Sequence, residues 1–597
     1  MRESELDDEI LGRAYDARLM RRLWAFTRPH VRLVLATCAL FPAVTLLELT
    51  QPYLIKIAID EHILRRDWAG LGRIAAVFLL VLLALYALRA GQAYLTQLTG
   101  QRVIGDLRAA LFAHLQRQDA KFFDGHPVGR LMTRILNDGE AIQELFTSGL
   151  VALLGDVLTL TGVVVIMLGM DWRLALVTFA LVPVLALAAG YFRLRARDSY
   201  RVVRTRLARL NAFLQESLQG MSVIQLFARE DRERRTFGDL SGALRRGQFR
   251  STFYDASLYA TVEALGSAAV ALLLWYGGGQ VVTGALTFGA LVAFLEYTGR
   301  FFLPIRDLGA KYAVMQAAMV SAERVFGLLD RSPTIVSPAT APPVIAPRGS
   351  DVPAVELRGV WFAYEAEQWV LRDCSLTVGR GERVALVGPT GEGKTTIARL
   401  LIRAYDVSRG RVLVDGVDVR EWRLETLRRH VGLIPQEPFL FSGTVEDNLV
   451  LAADGVRDEP AIRRALAAAN AERFVAALPH GLGEELRERG VNLSQGQRQL
   501  LAIARAIIYN PRVLALDEAT SSIDPESEAL VRAGLARLLE GRTSVVIAHR
   551  LSTIQRADRI LVLHRGRIRE AGGHAELLAQ GGLYSRLHEL QFGLGRT

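Results

Sequence analysis

The first half of the chain contains six long stretches of apolar residues, and each is long enough to cross a lipid bilayer. A spanning helix needs about 20 predominantly apolar residues. Because lipid offers no hydrogen-bond partners, a spanning segment must satisfy its own backbone polar groups, as an α-helix does. The pattern therefore predicts an all-α transmembrane domain over residues 1–330. The six predicted spans are 31–53, 71–95, 145–170, 174–191, 258–282 and 286–308.

The connections between these spans alternate in length and in charge. Short loops join spans one and two, three and four, and five and six, and they contain few basic residues. Two long stretches, 96–144 and 192–257, are polar and have helical periodicity. Fourteen arginines lie between Arg193 and Arg250. Because arginine and lysine accumulate on the cytoplasmic side, both long stretches and both ends of this half are predicted to be cytoplasmic.

The start of the chain and the net charge exclude several protein classes. The first twelve residues are acidic and contain no apolar core, so no cleaved signal peptide is predicted and the N-terminus is expected in the cytoplasm. We predict a multi-pass protein of the inner (plasma) membrane, surrounded by membrane lipid. The formal net charge is +10, but the basic residues lie between apolar segments, so no nucleic-acid partner is expected. Two cysteines are too few for a disulfide framework or a cysteine-built metal site.

Several ionisable residues fall inside or at the edge of the predicted spans. A charge that faces lipid is costly, so these side chains are expected to face the bundle interior or water. One interpretation is a water-filled cavity open to the cytosol, whose mixed charges would favour amphipathic substrates. The other is that the helices extend past the bilayer and some charges are solvated. The residues are Glu48, Arg89, Asp156, Glu263, Glu296 and Arg300.

A second domain of different composition follows a proline-rich linker. Residues 337–353 contain five prolines, and the linker is predicted over 331–353. Beyond it, short β-branched runs bounded by turns or charges alternate with helical stretches. This is the pattern of an α/β domain with a largely parallel sheet. The predicted fold is therefore a six-helix membrane domain followed by an α/β P-loop domain at 354–597, on the cytoplasmic side.

The most specific motif in this second domain is a phosphate-binding loop at 388–395. Its sequence, GPTGEGKT, matches GxxxxGK[ST] and lies between a strand-like and a helix-like segment. Glycines allow backbone N–H groups to surround phosphates at the N-terminus of the following helix. Lys394 is expected to reach the β- and γ-phosphates, and the Thr395 hydroxyl to ligate Mg²⁺.

An acidic pair follows a second strand-like run, 123 residues beyond Lys394. Asp517 at a strand end can hold the Mg²⁺ shell, and the adjoining Glu518 can polarise an attacking water. An ordinary acidic strand terminus would look the same, but its occurrence beside a phosphate-binding loop favours the catalytic interpretation.

Residues 493–497, with the sequence LSQGQ, resemble the LSGGQ signature of ATP-binding cassette (ABC) proteins. The six spans and two long cytoplasmic loops, N-terminal to one cassette, resemble ABC exporters. Residues 122–124 and 224–230 resemble their two coupling-helix regions. The resemblance covers nearly the whole chain. It implies that Tyr364 stacks on adenine, that Gln436 contacts Mg²⁺, and that His549 contacts the γ-phosphate.

The predicted site combines the motif residues and those implied by the resemblance. Its cofactors are ATP and Mg²⁺. The predicted catalytic residues are Glu518 and His549. The predicted ATP-binding residues are Tyr364, Gly388, Gly391, Gly393, Lys394, Thr395, Thr396, Gln436, Ser494, Gly496, Gln497 and Asp524. The predicted metal ligands are Thr395, Gln436 and Asp517.

The resemblance also implies a second half-transporter, because ABC proteins bind ATP between the phosphate-binding loop of one cassette and the signature of another. Gln495 stands where the family consensus has glycine. With an intact Asp517–Glu518 pair, this resembles one subunit of bacterial heterodimeric multidrug exporters, so a heterodimer is expected over a homodimer. The alternatives are a homodimeric lipid flippase or exporter, an ATP-gated channel or regulator, and a soluble P-loop enzyme, which the six spans disfavour.

Overall fold

The protein is described by a computed structural model that covers residues 16–338, 352–451, 458–517, 524–548 and 551–592. The chain forms two compact units. The helical unit contains residues up to Gln116 and Val128–Arg331. The α/β unit contains Arg117–Pro127 and the chain from Ser332 onward. A short segment from the first long predicted loop therefore groups with the second half of the chain.

Helices account for most of the first half of the chain. Between Ala17 and Leu329 they are α1 Ala17–Thr27, α2 Val31–Ile57, α3 Trp68–Leu115, α4 Ala120–Gly125, α5 Val128–Glu144, α6 Val151–Met170, α7 Trp172–Phe179, α8 Val182–Gln219, α9 Met221–Leu226, α10 Glu230–Leu272, α11 Gly278–Val282 and α12 Phe288–Leu329. π-Helical turns extend or join some of these at Ala58–Ile63, Leu145–Leu150 and Leu273–Gly277. Helix α4 belongs to the α/β unit, and the others belong to the helical unit.

Six helical segments are long and apolar enough to cross a membrane, which confirms the predicted number of spans. Most extend beyond the predicted limits: α3 contains 48 residues and α10 contains 43. The polar stretches 96–144 and 192–257 are largely helical, as predicted. The fourth span is interrupted by a turn at 180–181, and α8 restarts with a proline in its first turn, where no backbone N–H is needed.

The N-terminal helix α1 packs against the end of α12. Leu23 is fully buried. The Arg22 guanidinium donates two hydrogen bonds of 2.7 Å to the Asp330 carboxylate and lies 4.2 Å from the Phe326 ring centroid. These contacts fix the start of the helical bundle to its last helix.

Of the ionisable residues predicted inside the spans, four contact polar partners within the helical unit and the other two are exposed. Glu48 forms an ion pair with Arg89, and Arg300 donates to the Glu48 carbonyl oxygen at 2.6 Å and to a Gln51 side-chain oxygen at 2.8 Å. Asp156 pairs with Lys311, which the predicted sixth span did not include. Glu263 and Glu296 are exposed on this chain. Pairing is the usual arrangement for charges within a membrane domain.

Strands and helices alternate in the α/β unit. The strands are β1 Val355–Ala363, β2 Trp369–Val378, β3 Arg383–Val387, β4 Arg409–Val414, β5 Val417–Asp418, β6 Val431–Ile434, β7 Gly443–Thr444, β8 Glu485–Leu486, β9 Val513–Asp517, β10 Thr543–Ile547, β11 Arg559–His564 and β12 Arg567–Gly572. The helices are α13 Lys394–Leu401, α14 Leu424–His430, α15 Val445–Val450, α16 Glu459–Ala468, α17 Glu472–Ala476, α18 Gln495–Tyr509, α19 Pro525–Leu539, α20 Leu551–Gln555, α21 His574–Ala579 and α22 Leu583–Phe592.

The main sheet of this unit has six strands in the order β12-β11-β3-β10-β9-β6. All neighbours are parallel except the edge strand β12. A second, antiparallel sheet has the order β2-β1-β4-β5. Alternate residues of the central strands enter two different hydrophobic clusters, since Val384 and Leu386 join one and Ala385 and Val387 join the other. Burial on both faces explains why β3 is apolar throughout.

A buried carboxylate supports the turn between β4 and β5. Asp415 is 2% exposed; Arg380 lies 2.7 Å from one of its oxygens, and His430 Nε2 lies 2.8 Å from the other. Burial alone would raise the pKa of this carboxyl group, but the contact with His430 and the charge of Arg380 outweigh it and lower the pKa.

We expect Asp415→Asn to destabilise this region by about 2 kcal/mol, because it removes the counterion of Arg380. Hydrogen exchange of residues 409–431 should then accelerate by about 30-fold. Glu459→Gln is the matched control, since the Glu459–Arg463 pair is more than half exposed on both sides. An equal effect of the two substitutions would contradict the assignment.

The same carboxylate makes an acid-dependent contribution to stability. A carboxyl group with a lowered pKa stabilises the fold above the pKa of the unfolded chain, about 3.9. That stabilisation is lost as the pH falls through the lower, folded-state value. The difference between wild type and Asp415→Asn should therefore be full at neutral pH and shrink below about pH 4. A difference that grows on acidification would contradict this sign.

Candidate ATP-binding site

The loop 388–393 joins β3 to α13, and two of its glycines are required by the backbone. A Cβ atom on Gly388 would lie 2.2 Å from the carbonyl oxygen of Leu563, which is closer than any real contact. Gly393 precedes α13 with φ of 101°, a conformation that favours glycine. The chain thus turns tightly between strand and helix and directs the N-terminus of α13 toward the space above the loop.

Lys394 is the first residue of α13, directly after this loop, and only 5% of its surface is exposed. Its Nζ donates to the carbonyl oxygens of Gly388 and Pro389, at 2.7 and 2.8 Å. Burial lowers the pKa of Lys394, and the negative charges of Asp517 and Glu392 oppose this effect. The ammonium group is therefore held by the loop where phosphate oxygens would replace the two carbonyl groups as its partners.

Thr395 and Asp517 meet at the same edge of the sheet. Thr395 Oγ1 donates to Asp517 Oδ2 at 2.8 Å. Strands β3 and β9 flank β10 in parallel, so their carboxyl ends bring together residues 122 positions apart. A hydroxyl and a carboxylate oxygen suit Mg²⁺, which binds one or two protein oxygens and completes its shell with phosphate and water. The predicted ligands Thr395 and Asp517 fit the metal.

Tyr364 lies beside the same helix. Its hydroxyl is 3.0 Å from Thr396 Oγ1 on α13. Its ring makes edge-to-face contacts with Phe362 and Tyr405, with centroids 4.8 and 5.2 Å apart. The ring is half-buried, so it retains an accessible surface next to the phosphate-binding loop.

Gln436 follows β6, the neighbour of β9, and is exposed in the connecting loop. Because β6 and β9 run in parallel, this loop leaves the sheet at the edge that also carries Asp517.

The residues resembling the signature begin α18. Ser494 Oγ accepts from the Gln497 backbone N–H at 3.2 Å, and the Gln497 side chain accepts from the Ser494 N–H at 2.9 Å. This reciprocal capping box accounts for a serine and a glutamine at these two positions without a ligand. Gly496 is buried, whereas Ser494 is exposed at the helix N-terminus, where an anion from another molecule could approach.

Asp524 caps α19. Its carboxylate accepts from the Ser527 backbone N–H at 2.8 Å, and this hydrogen bond lowers the pKa of Asp524. The predicted catalytic residues Glu518 and His549 lie outside the described residues, as do positions 521–523.

Comparisons with known proteins identify the family of this chain. The family model of the ABC transporter transmembrane region matches residues 34–305, and that of the ABC transporter matches residues 371–521. The chain is 35% identical to the uncharacterized ABC transporter ATP-binding protein YknV of Bacillus subtilis, over 98% of this chain and 96% of the relative. The chain belongs to the ABC transporter family.

Two further relatives of the transporter have names that state an activity. It is 37% identical to an ATP-dependent lipid A-core flippase of Syntrophus aciditrophicus, over 96% of this chain and 94% of the relative. It is 38% identical to a probable multidrug resistance ABC transporter ATP-binding/permease protein of Bacillus subtilis, over 84% and 74%. The predicted fold class is confirmed: a multi-pass membrane protein with an ABC ATP-binding domain.

The structure adds site neighbours of the transporter that the sequence patterns missed. Tyr405, four residues beyond α13, packs against Tyr364 and donates a hydrogen bond to Asp124 on α4. Asp119 caps α4 by accepting from the Phe122 N–H at 3.0 Å, and it also accepts from Thr334, near the start of the predicted linker. A lone tyrosine or aspartate has no motif spacing, so no local signal marked Tyr405 or Asp119, whereas Asp124 lies in the predicted coupling-helix region 122–124.

Proposed function

We propose that this ABC transporter uses ATP hydrolysis to export amphipathic small molecules, lipids or peptides by alternating access, as one half of a dimeric exporter. The observation that carries the proposal is the meeting of Lys394, Thr395 and Asp517 at one edge of the parallel sheet. The α/β unit and the N-terminus would lie in the cytoplasm, beneath the inner (plasma) membrane. The relatives named as a lipid A-core flippase and a probable multidrug transporter support this substrate range.

The residues of the site would divide the chemistry as follows. Lys394 and the N-terminus of α13 bind phosphate oxygens, and the Tyr364 ring stacks on the base. Thr395, Asp517 and Gln436 would hold Mg²⁺, which supplies charge neutralisation on the phosphates. Glu518 would orient and deprotonate the attacking water, and His549 would contact the γ-phosphate. Asp524 would belong to the facing dimer interface.

A dimer is proposed because one chain carries one phosphate-binding loop and one signature, and the heterodimer is favoured because of Gln495. In this arrangement the Lys394–Asp517 site works with the better signature of a second half-transporter. The Gln495 signature faces an impaired site in that partner. Closure of the two cassettes around ATP would shift the membrane helices toward an outward-open state.

The decisive experiment uses this chain alone, purified in nanodiscs, beside its Glu518→Gln variant. Particle mass and Mg-ATPase activity are measured together. We expect no hydrolysis above the Glu518→Gln background until a second half-transporter is co-expressed. A particle of twice the chain mass of 65.8 kDa, with activity abolished by Glu518→Gln, would contradict the heterodimer and show a homodimeric exporter. Activity that survives Glu518→Gln would remove Glu518 from the proposed role.

The signature offers a second test on the same preparation. If Gln495 is the reason that this chain does not hydrolyse ATP alone, Gln495→Gly should raise the ATPase activity of the isolated chain to about ten times the Glu518→Gln background. Gln499→Gly, on the same helix but outside the signature, is the control. An isolated wild-type chain that is already fully active, and that is unchanged by Gln495→Gly, would contradict the proposal.

A further inference from the structure

Helix α4 is fixed to the α/β unit at both of its ends. At the N-terminal end, Asp119 accepts from the Thr334 backbone N–H at 2.9 Å and also from the Thr334 hydroxyl. At the C-terminal end, the Tyr405 hydroxyl donates to the Asp124 carboxylate. Between them, Phe122 is 8% exposed. A helix of six residues has little stability of its own, so these contacts decide where it lies.

The two end contacts differ in what else they touch. Thr334 belongs to the linker, which is itself held by a bond of 3.4 Å from Arg403 to the Val336 carbonyl oxygen. Tyr405 instead reaches the ATP-binding site. Its ring is 6% exposed and meets the edge of the Tyr364 ring at 89°. Of the two end contacts of α4, the one with Tyr405 therefore leads to a residue of the candidate base site.

The Tyr364 ring has its own tie to the phosphate-binding helix. Its hydroxyl is 3.0 Å from Thr396, two residues after Lys394. A base that stacks on Tyr364 restricts this ring, and an edge-to-face pair transmits the restriction because its geometry is preferred over others. The neighbouring phenol then carries the restriction to Asp124 through a charge-assisted hydrogen bond.

We propose that Tyr405 is a positioning residue that links base occupancy at Tyr364 to the docking of α4. This inference rests on the proposed function for the assignment of Tyr364 to the base. Occupied Tyr364 holds Tyr405 in the rotamer that bonds Asp124, and α4 stays docked. Without the base, Tyr364 and Tyr405 sample more orientations, and the end of α4 opens more often. Tyr405 touches neither phosphate nor metal, so its role is in coupling, not in hydrolysis.

The test is hydrogen exchange of the full chain in nanodiscs, with and without Mg-ATP. The segment 388–396 reports on nucleotide binding, and 117–127 reports on α4. In wild type, ATP should slow amide exchange in both segments, and the exchange of 117–127 should slow by about fivefold or more. In Tyr405→Phe, which keeps the ring and loses the hydroxyl, 388–396 should remain protected while 117–127 responds by less than about twofold. Asp124→Ala should give the same result from the other side of the bond.

A matched control removes another buried phenol hydroxyl. Tyr584 is 1% exposed, and its hydroxyl lies 2.6 Å from His574 Nδ1 at the C-terminal helices. Tyr584→Phe should leave the ATP response of 117–127 at its wild-type size. Tyr364→Ala should abolish that response at ATP concentrations that still protect 388–396.

The outcomes are separable. If ATP slows the exchange of 117–127 equally in wild type and in Tyr405→Phe, the inference is overturned. This holds even when the variant exchanges faster without ATP, because Tyr405 then has only a structural role. If 388–396 is not protected by ATP in wild type, the proposed function fails, and the inference fails with it. Loss of the response in Tyr405→Phe and Asp124→Ala but not in Tyr584→Phe supports the link.

Discussion

Replacement of Lys394 by alanine is expected to lower Mg-ATP hydrolysis by about 10²–10³-fold, the effect of removing one preorganised charge from a phosphoryl-transfer site. The side chain is almost fully buried, and its Nζ donates hydrogen bonds of 2.7 and 2.8 Å to two loop carbonyl oxygens. In the proposed site it would exchange these neutral partners for phosphate oxygens, which bear far more charge. The loss should therefore appear in hydrolysis rather than in expression of the folded chain.

The measurement is phosphate release by the active assembly, together with the thermal unfolding midpoint. Arg463→Ala removes a cation from the same unit, at a side chain that is 63% exposed, and should change neither quantity. Lys394→Ala with wild-type turnover would exclude this loop as the hydrolytic site. A large fall in the unfolding midpoint would instead identify the lysine as a structural residue.

Breaking the Asp156–Lys311 pair is expected to give the largest loss of stability in the helical unit. Both side chains are less than one-fifth exposed and pair between α6 and α12. Lys311→Met or Asp156→Leu alone leaves the other charge among apolar helices, at a cost of about 2.5–3.5 kcal/mol by insertion scales. Substituting both removes the two charges together, so the double variant should recover most of this loss.

The unfolding midpoint of the four proteins in nanodiscs forms a double-mutant cycle. A strong coupling between the two substitutions is the expected result. Arg234→Met is the control, because Arg234 and Asp231 pair at side chains that are 82% and 78% exposed. Additive losses in the cycle would mean that the two charges do not depend on each other.

The pattern of the sequence was sufficient for the architecture. An uninterrupted apolar stretch of about 20 residues has the length of a spanning helix, so the number of such stretches predicted six spans without tertiary information. The phosphate-binding loop was equally local, because its glycines, Lys394 and Thr395 act through backbone turns and spacing within eight residues. Asp517 was recognisable because a carboxylate at the end of an apolar strand is uncommon beside such a loop.

The ends of the helices were less predictable. The hydrophobic pattern shows where a helix contacts lipid, but it does not show where the helix ends, and α3 and α10 continue far into polar sequence. Lys311 was missed for the same reason, since it lies just beyond the predicted sixth span and yet pairs with Asp156. The partner of a charge depends on which helices are neighbours, and hydropathy does not encode this.

The sequence alone determined the two kinds of domain and the family resemblance, and it predicted the phosphate-binding loop, because each depends on local composition or short spacing. Only the tertiary structure decided that residues 117–127 group with the α/β unit, and that Tyr405 joins Tyr364 to Asp124. Asp124 and Tyr405 are 281 positions apart. Contacts over that separation arise from the packing of whole elements, and no periodicity or motif within one segment can specify them.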